Sequence, residues 1–322
     1  MFDIAKNSVR KFNLLKKSQV ILIGVSGGPD SVALLYLLAS LKKEYKLKLH
    51  VAHLDHMLRK NSDKDANFVE NLSLKLNIPV TIGRINIGNL KLEGSLEEAA
   101  RKTRLAFLFN VAKEVKADAI ALGHNFDDQA ETVLMRLLRG SGIYGLTAIL
   151  PKRKIQKFTL IRPLIETPRK NIEKFLRSKR IRACLDESNF DEVFFRNKLR
   201  HTLIPLLEEK YNKNIKKVLS NLAQTAGYDY DYLLAQAEKI SKRFKGGIII
   251  KHFLKLHPSI QRMVLRLAIS KVKGDTRGID FRHIQEIEDM LFNRPINSVV
   301  DLPGNIYAVK RKLSVELCRR KH

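Results

Sequence analysis

Up to Arg139, the apolar positions alternate between short unbroken runs and a helical spacing. Val20–Val25 is rich in β-branched residues and reads as a buried strand. From Asp30 to Lys42, Val32, Leu35, Leu38 and Ala39 recur as on one helix. The alternation repeats, with a strand at Leu47–Ala52, a helix from about Ser62 to Leu76 and a strand at Val80–Ile85. Ser95-Leu96-Glu97-Glu98 has the S-x-x-E form of a capping box and predicts a helix running to about Val115. A fourth strand at Ala119–Leu122 leads into a helix over Asp127–Arg139, closed by Gly140. Strand alternating with helix predicts an α/β fold, a doubly wound, mostly parallel, Rossmann-like sheet covered on both faces.

After Pro151 the pattern loosens. A strand near Phe158–Ile161 precedes a helix starting at Thr167-Pro168. Beyond Pro205 amphipathic helical stretches dominate, through Ile215–Arg243, Ser259–Lys271 and Arg282–Phe292, with two short strands around Ser298–Asp301 and Leu313–Cys318. The expected division is a catalytic domain over residues 1–205 and a smaller, mostly helical, basic domain over 206–322.

Composition narrows the function. The 322 residues are 44% hydrophobic, enough for a substantial core, yet no apolar run approaches the roughly 18 residues of a membrane span. The N-terminal residues MFDIAKNSVRKF lack the apolar stretch of a signal peptide. Cys184 and Cys318 are far apart and outside any CxxC pair, which argues against a disulfide framework, structural zinc or an iron–sulfur cluster. A cytoplasmic setting is expected. The net charge is +27, spread along the chain: 37 Lys and Arg against 21 Asp and Glu in residues 1–205, and 23 against 12 in residues 206–322. A globular protein this basic attracts polyanions, nucleic acid first among them, although a lysine-rich solvated surface would give the same sum.

Candidate chemistry collects where strands give way to helices. Ser26-Gly27-Gly28-Pro29-Asp30-Ser31 joins the first strand to the first helix, where backbone N–H groups and the helix dipole favour phosphate. It lacks the lysine of a Walker loop and the G-x-G-x-x-G of a dinucleotide fold. The competing reading is an ordinary strand-to-helix turn capped by Asp30 or Ser31. Gly123-His124-Asn125-Phe126-Asp127-Asp128-Gln129-Ala130-Glu131 follows the fourth strand, and spacing puts Asp127 or Asp128 on one helix face with Glu131. Carboxylates near a triphosphate call for a bridging cation, Mg²⁺, or could hold the ammonium of an amine. The ordinary alternative is acidic residues complementing a helix dipole. Glu97 and Arg101 form an i,i+4 pair, while Arg101 and Arg104 share a face suited to a phosphate. His50, His53 and His56 recur every third position, but only Asp55 lies nearby to complete a zinc site, so substrate contact together with Arg59 is the better expectation.

The loop resembles the SGGxDS loop of the N-type ATP pyrophosphatases, and the strings together resemble the tRNA(Ile)-lysidine synthetase family. The resemblance covers most of residues 18–205. It includes His53-Leu54-Asp55-His56-Met57-Leu58-Arg59, Glu97–Arg101, Leu138-Arg139-Gly140-Ser141-Gly142, Arg162-Pro163-Leu164, Asp186-Glu187-Ser188-Asn189, and Arg196-Asn197 with Arg200. It implies that ATP adenylates the C2 oxygen of the wobble cytidine of a tRNA(Ile) with a CAU anticodon, and that free lysine displaces AMP. It further implies ATP on Ser26, Gly27, Gly28, Pro29, Asp30 and Ser31, Mg²⁺ on Asp30 and Asp128, and charge stabilisation by His124 and Arg101. His53, His56, Arg59, Asp127, Glu131, Arg139, Arg196 and Arg200 would contact lysine or the tRNA base. A homodimer is left open. Two departures stand out. Leu105 replaces a Tyr usual in the family, and a further C-terminal domain of longer members finds no match, so acceptor-stem contacts would fall to the basic region after 205.

Overall fold

The computed structural model describes residues 1–57, 62–86, 96–184, 195–244 and 247–320; the side chains of Ser62, Leu96 and Glu97 lie outside the description. Backbone packing divides the chain into two compact units, Met1–Thr225 and Ala226–His322.

The first unit is built on a six-stranded sheet of β1 (Val20–Gly24), β2 (Lys48–Asp55), β3 (Val80–Arg84), β4 (Ala119–Ala121), β5 (Lys152–Ile155) and β6 (Phe158–Ile161). The order is β3-β2-β1-β4-β6-β5. Every neighbouring pair is parallel except β5–β6, a hairpin that closes one edge. In β1, Ile21 and Ile23 point to one face and Leu22 to the other, all fully buried, as a strand covered on both sides requires. On the Ile21 face lie α1 (Phe2–Lys11), α2 (Pro29–Leu41), α3 (Ser62–Lys75) and α7 (Arg169–Ser178), through Val9, Leu34, Leu38, Val69 and Ile172. On the Leu22 face α4 (Leu96–Glu114) packs Leu108 and Val111 against Ala52, Ile120 and Leu160.

The helix α5 (Phe126–Leu138) follows β4, and a short α6 (Ile143–Leu146) comes next. Beyond α7 the chain forms α8 (Phe195–Lys198), one π-helical turn over Leu199–Leu203, α9 (Ile204–Lys210) and the long α10 (Ile215–Ser241). Leu199, Ile204, Leu219 and Ala223 bury themselves against Ala130, Val133 and Leu134 of α5. This cluster carries the first unit past the boundary expected at 205, since α9 and the start of α10 complete the cover of α5.

The second unit contains α11 (Ile250–Phe253), α12 (Pro258–Lys273) and α13 (Phe281–Asn293). They pack with a four-stranded antiparallel sheet, β7 (Ile248–Ile249), β10 (Ser314–Arg319), β9 (Ile306–Lys310) and β8 (Val299–Leu302) in that order. Its core joins Val264, Leu265 and Ile269 of α12 and Ile284, Ile287 and Met290 of α13 to Val300, Ile306 and Val315 of the sheet. Where two short strands were expected, four occur. Among the described residues, no helix is long and apolar enough to cross a membrane.

Candidate active site

In an open parallel sheet, ligands bind beyond the carboxyl ends of the strands where the chain order reverses. Here that point lies between β1 and β4, and it brings the β1–α2 loop beside the β4–α5 loop. The approach is close enough to exclude a side chain. A Cβ on Gly123 would sit 3.0 Å from the Asp30 carbonyl and from the Ser31 nitrogen. Gly27 has φ +89°, and a Cβ there would meet Cys184 Sγ at 3.3 Å, so glycine serves both conformation and space.

The loop is internally braced. The Ser26 N–H donates to Ser31 Oγ (3.1 Å), and the Ser31 hydroxyl donates to the Gly28 carbonyl (2.9 Å). Gly28 caps α2 without a side-chain bond, which leaves the helix N-terminus open to an anion, and Pro29 occupies its first turn. Asn125 caps α5: its Oδ1 accepts from the Asp128 N–H and its own N–H donates to Asp128 Oδ2, both 2.9 Å. The Asn125 amide also donates to Asp30 Oδ1 at 2.8 Å, tying the heads of the two helices together.

Asp30 is the electrostatic centre of this arrangement. Burial, then the charge of Asp128, push its carboxyl up to about 6, partly offset by Arg169, the Asn125 bond and Arg200. The Arg169 guanidinium approaches Asp30 Oδ2 at 3.3 Å, while the Arg169 backbone N–H donates to Asp127 Oδ2 at 2.8 Å. Asp127 also pairs with Lys216 (3.0 Å) and so turns away from Glu131, although the two are four apart.

Asp128 and Glu131 share a different set of partners. Arg196 reaches Asp128 Oδ1 and Glu131 Oε2, both at 2.8 Å. Arg200 reaches Glu131 Oε1 at 2.6 Å and Asp128 Oδ1 at 3.2 Å. The two arginines stand one turn apart because α8 runs directly into the π-helical turn, a distortion common at functional sites. Glu131 keeps only 3% of its side chain exposed, so this is a buried four-membered network and not a surface pairing.

His124 completes the edge. Its Nδ1 accepts from Arg162 Nε at 3.3 Å, and Arg162 also donates to the Leu150 carbonyl (2.6 Å). Burial, then the charges of Arg162, Arg196, Arg101 and Arg104, hold the His124 imidazole well below its ordinary value, so it is neutral at neutral pH. Burial likewise lowers Arg162, to about 10. Arg101 and Arg104 of α4 therefore lie close enough to be felt at His124, and the partly buried Leu105 packs against the core beneath α4.

On β2 the three histidines part company. His50 bonds Thr81 of β3 (2.8 Å). His53 is 3% exposed and its Nδ1–H donates to the Val25 carbonyl (2.8 Å), leaving a buried Nε2 lone pair with no partner. Asp55 Oδ2 and His56 Nδ1 are also buried and unpaired. Among the described residues no group of three His, Cys, Asp or Glu is placed to hold a metal. Arg139 sits at the far end of α5 with its guanidinium 5.6 Å from the Phe195 ring, about 16 Å along the helix from Asp128. Arg59, the Glu97 side chain and Asp186–Asn189 lie outside the described residues.

Four participants were not singled out from the sequence for these roles: Asn125, Arg162, Arg169 and Lys216. Asn125 carried a readable signal, an N-cap residue three before an acidic one. The others come from distant elements, and only the fold places them.

Comparison with known proteins gives the family. Residues 3–207 match the family model described as a PP-loop domain. A tRNA(Ile)-lysidine synthase of Clostridioides difficile is 35% identical over 327 residues, covering 98% of this chain and 70% of that protein. One of Clostridium tetani is 36% identical over 318 residues, covering 96% and 67%. Among solved structures, a tRNA thiolase of Methanococcus maripaludis superposes with a TM-score of 0.57 at 20% identity, over 68% of this chain and 78% of that one, a likeness of fold. With a PP-loop domain over its first two thirds and this identity along nearly its whole length, the chain belongs to the tRNA(Ile)-lysidine synthase family.

Proposed function

We propose that this chain forms lysidine on the wobble cytidine of a tRNA(Ile) with a CAU anticodon, using ATP and free lysine. The observation that carries the reading is the joining of two helix heads by the Asn125–Asp30 bond, in a chain of this family. Two N-termini side by side favour a polyphosphate, and the buried carboxylates next to them supply the opposite sign for a cation or an amine.

Activation forms a bond from the cytidine C2 oxygen to the α-phosphorus and breaks the bond to the β-phosphate oxygen, releasing pyrophosphate. The lysine amine then bonds to C2, the C2–oxygen bond breaks and AMP leaves, while the amine gives up its proton. The Ser26–Ser31 loop would bind phosphates through backbone N–H groups. His124, Arg101 and Arg104 would lie beside negative charge developing around the α-phosphate, where prearranged donors lower a barrier most. Asp128 and Glu131, paired with Arg196 and Arg200, form a mixed-sign cluster whose charges could be exchanged for those of an amino acid, with Asp127 and Arg169 at its side.

The donors fit Mg²⁺. Asp30 offers hard carboxylate oxygens in a place where its own ionisation is opposed by burial and by Asp128, a strain that a divalent cation relieves. Asp30 and Asp128 would hold it, and when bound it would offset triphosphate charge. The basic residues after 205 would bind tRNA phosphates, which orient the RNA without reading its sequence. Such work belongs in the cytoplasm.

The test is incubation with ATP, Mg²⁺, labelled lysine and unmodified tRNA(Ile). Label should enter the tRNA only with ATP present and vanish when the wobble cytidine is changed. Pyrophosphate release that depends on tRNA but without label would overturn lysine as the nucleophile.

A further inference from the structure

We infer that Arg162 is a positioning residue that holds His124 as the neutral imidazole carrying its proton on Nε2. The inference about the protein stands on geometry alone; its catalytic consequence rests on the function proposed above.

A guanidinium has only donors. Arg162 Nε faces His124 Nδ1 at 3.3 Å, so that nitrogen must present a lone pair, and the single proton of a neutral ring must sit on Nε2. The arginine has little freedom to turn away. It is 5% exposed, its Nη1 donates to the Leu150 carbonyl at 2.6 Å, and its backbone N–H donates to the Pro151 carbonyl at 2.9 Å. The strands set the pairing: β4 and β6 run parallel with Ala121 opposite Ile161, so the residues just beyond those partners emerge together at the carboxyl edge.

The surroundings point the same way. The largest charge effects felt at His124 come from Arg162 after β6, Arg196 on α8, and Arg101 and Arg104 on α4, all cations, although Arg196 is paired with Asp128 and Glu131 of α5. An imidazolium would meet like charge from these groups, a repulsion that a neutral ring escapes. His124 then supplies a fixed N–H donor and no proton, as suits a site where phosphate charge develops and the leaving AMP needs no protonation. An Nδ1-protonated ring would turn its N–H against Arg162 and leave a lone pair on Nε2, the wrong polarity for an anion. The substitution that removes the effect is Arg162→Met, similar in length and without donors.

The experiment is ¹⁵N-histidine NMR of the full chain without substrate, with the His124 signal assigned by its loss in His124→Gln. The expected result is a pyrrole-type Nε2 and a pyridine-type Nδ1, unchanged from about pH 6 to 8.5, a window in which an ordinary histidine at about 6.5 would titrate. In Arg162→Met the ring should populate the other tautomer, and kcat for lysidine formation should fall about a hundredfold with KM for ATP within about twofold. Arg162→Lys retains a donor and should recover part of both, which also serves if the Met variant does not fold. A wild-type ring protonated on Nδ1, or on both nitrogens, at pH 7 overturns the inference. So does an Arg162→Met ring that keeps the wild-type signature, or one that changes tautomer with kcat intact. Wild-type protein that shows the expected ring but makes no lysidine would overturn the function and leave the tautomer assignment standing.

Discussion

The two units hold charge in opposite ways. In Met1–Thr225, Asp30, Asp128 and Glu131 keep 18%, 11% and 3% of their side chains exposed, with Arg169, Arg196 and Arg200 folded over them. In Ala226–His322 no described carboxylate carries two arginines in this way: the pairs range from half-covered, as with Arg262 and Glu288 at 42% and 16%, to open, as with Arg320 and Asp301 at 59% and 69%, around an apolar core. An exposed pair contributes about 0–1 kcal/mol. A buried network costs desolvation that an apolar cluster would avoid, so its presence calls for a reason beyond stability. The same residue types are therefore chemistry in one unit and solvation in the other, and burial decides which.

The largest effect should come from removing one buried carboxylate. Glu131→Ala takes from Arg196 and Arg200 the carboxylate they meet at 2.8 and 2.6 Å, and a broken buried pair costs about 3–5 kcal/mol. Arg196 is 30% exposed and can regain water, which places the expected loss at the lower end. The thermal midpoint of the first unit should fall by about 6–12 °C. Asp301→Ala, its counterpart in the second unit, should cost that unit no more than about 1 kcal/mol. Equal losses of unfolding free energy in the two variants would erase the distinction.

Asp30→Asn sharpens it further, because the site residue is predicted to oppose folding. The native carboxyl sits near 6 against an ordinary 3.8. Below about pH 4 it is protonated folded or unfolded and carries no penalty. As pH rises through 6, ionisation costs the folded state what it does not cost the unfolded chain, so wild-type stability falls across that window. Asn keeps the size of the side chain, and its gain over wild type should grow from near zero at pH 4 to on the order of 2–3 kcal/mol at pH 8. Turnover should drop about a hundredfold or more at every pH. Urea unfolding at both pH values tests the sign: a gain largest at pH 4 would refute it.

The contrast also explains what the sequence disclosed. Strands β1 to β4 and β6 were legible as short apolar runs, and α2 to α5 have distinct starts, but the edge strand β5, Lys-Arg-Lys-Ile, has no apolar run and was missed. The helix α1 was overlooked: its buried face is only Ala5, Ser8 and Val9, and it depends on α2 and α7 for cover. Of the hairpin of β8 and β9 only the first strand was read, although Pro303-Gly304-Asn305 between Val299–Leu302 and Ile306–Lys310 has the make-up of a turn. At the site, residues on the two loops were legible because helix heads carry local signals. Arg169 and Lys216 were not, since a lone cation looks the same in sequence whether it meets solvent or a carboxylate, and Arg162 stood out only within a string of the family resemblance. Arg139 shows the converse, a cation beside recognisable glycines that the helix carries away from the cluster.

The smallest effect on stability should be found in the second unit, where the function reading asks for phosphate contacts. Lys242, Lys251 and Lys255 are exposed, and neutralising them should alter stability by no more than about 0.5 kcal/mol each. If they meet tRNA phosphates, the loss appears in the salt dependence of binding, whose logarithmic slope falls by roughly 0.7–0.9 for each contact removed. The loss should be the same for tRNA(Ile) and for a tRNA with another anticodon, because such contacts carry no sequence information. Discrimination should instead respond to changes at the first unit's sheet edge. A triple Lys→Ala variant with unchanged salt slope would take tRNA away from this face of the second unit. A variant that lost affinity only for tRNA(Ile) would move base recognition into it, and the division of labour between buried and solvated charge would fail.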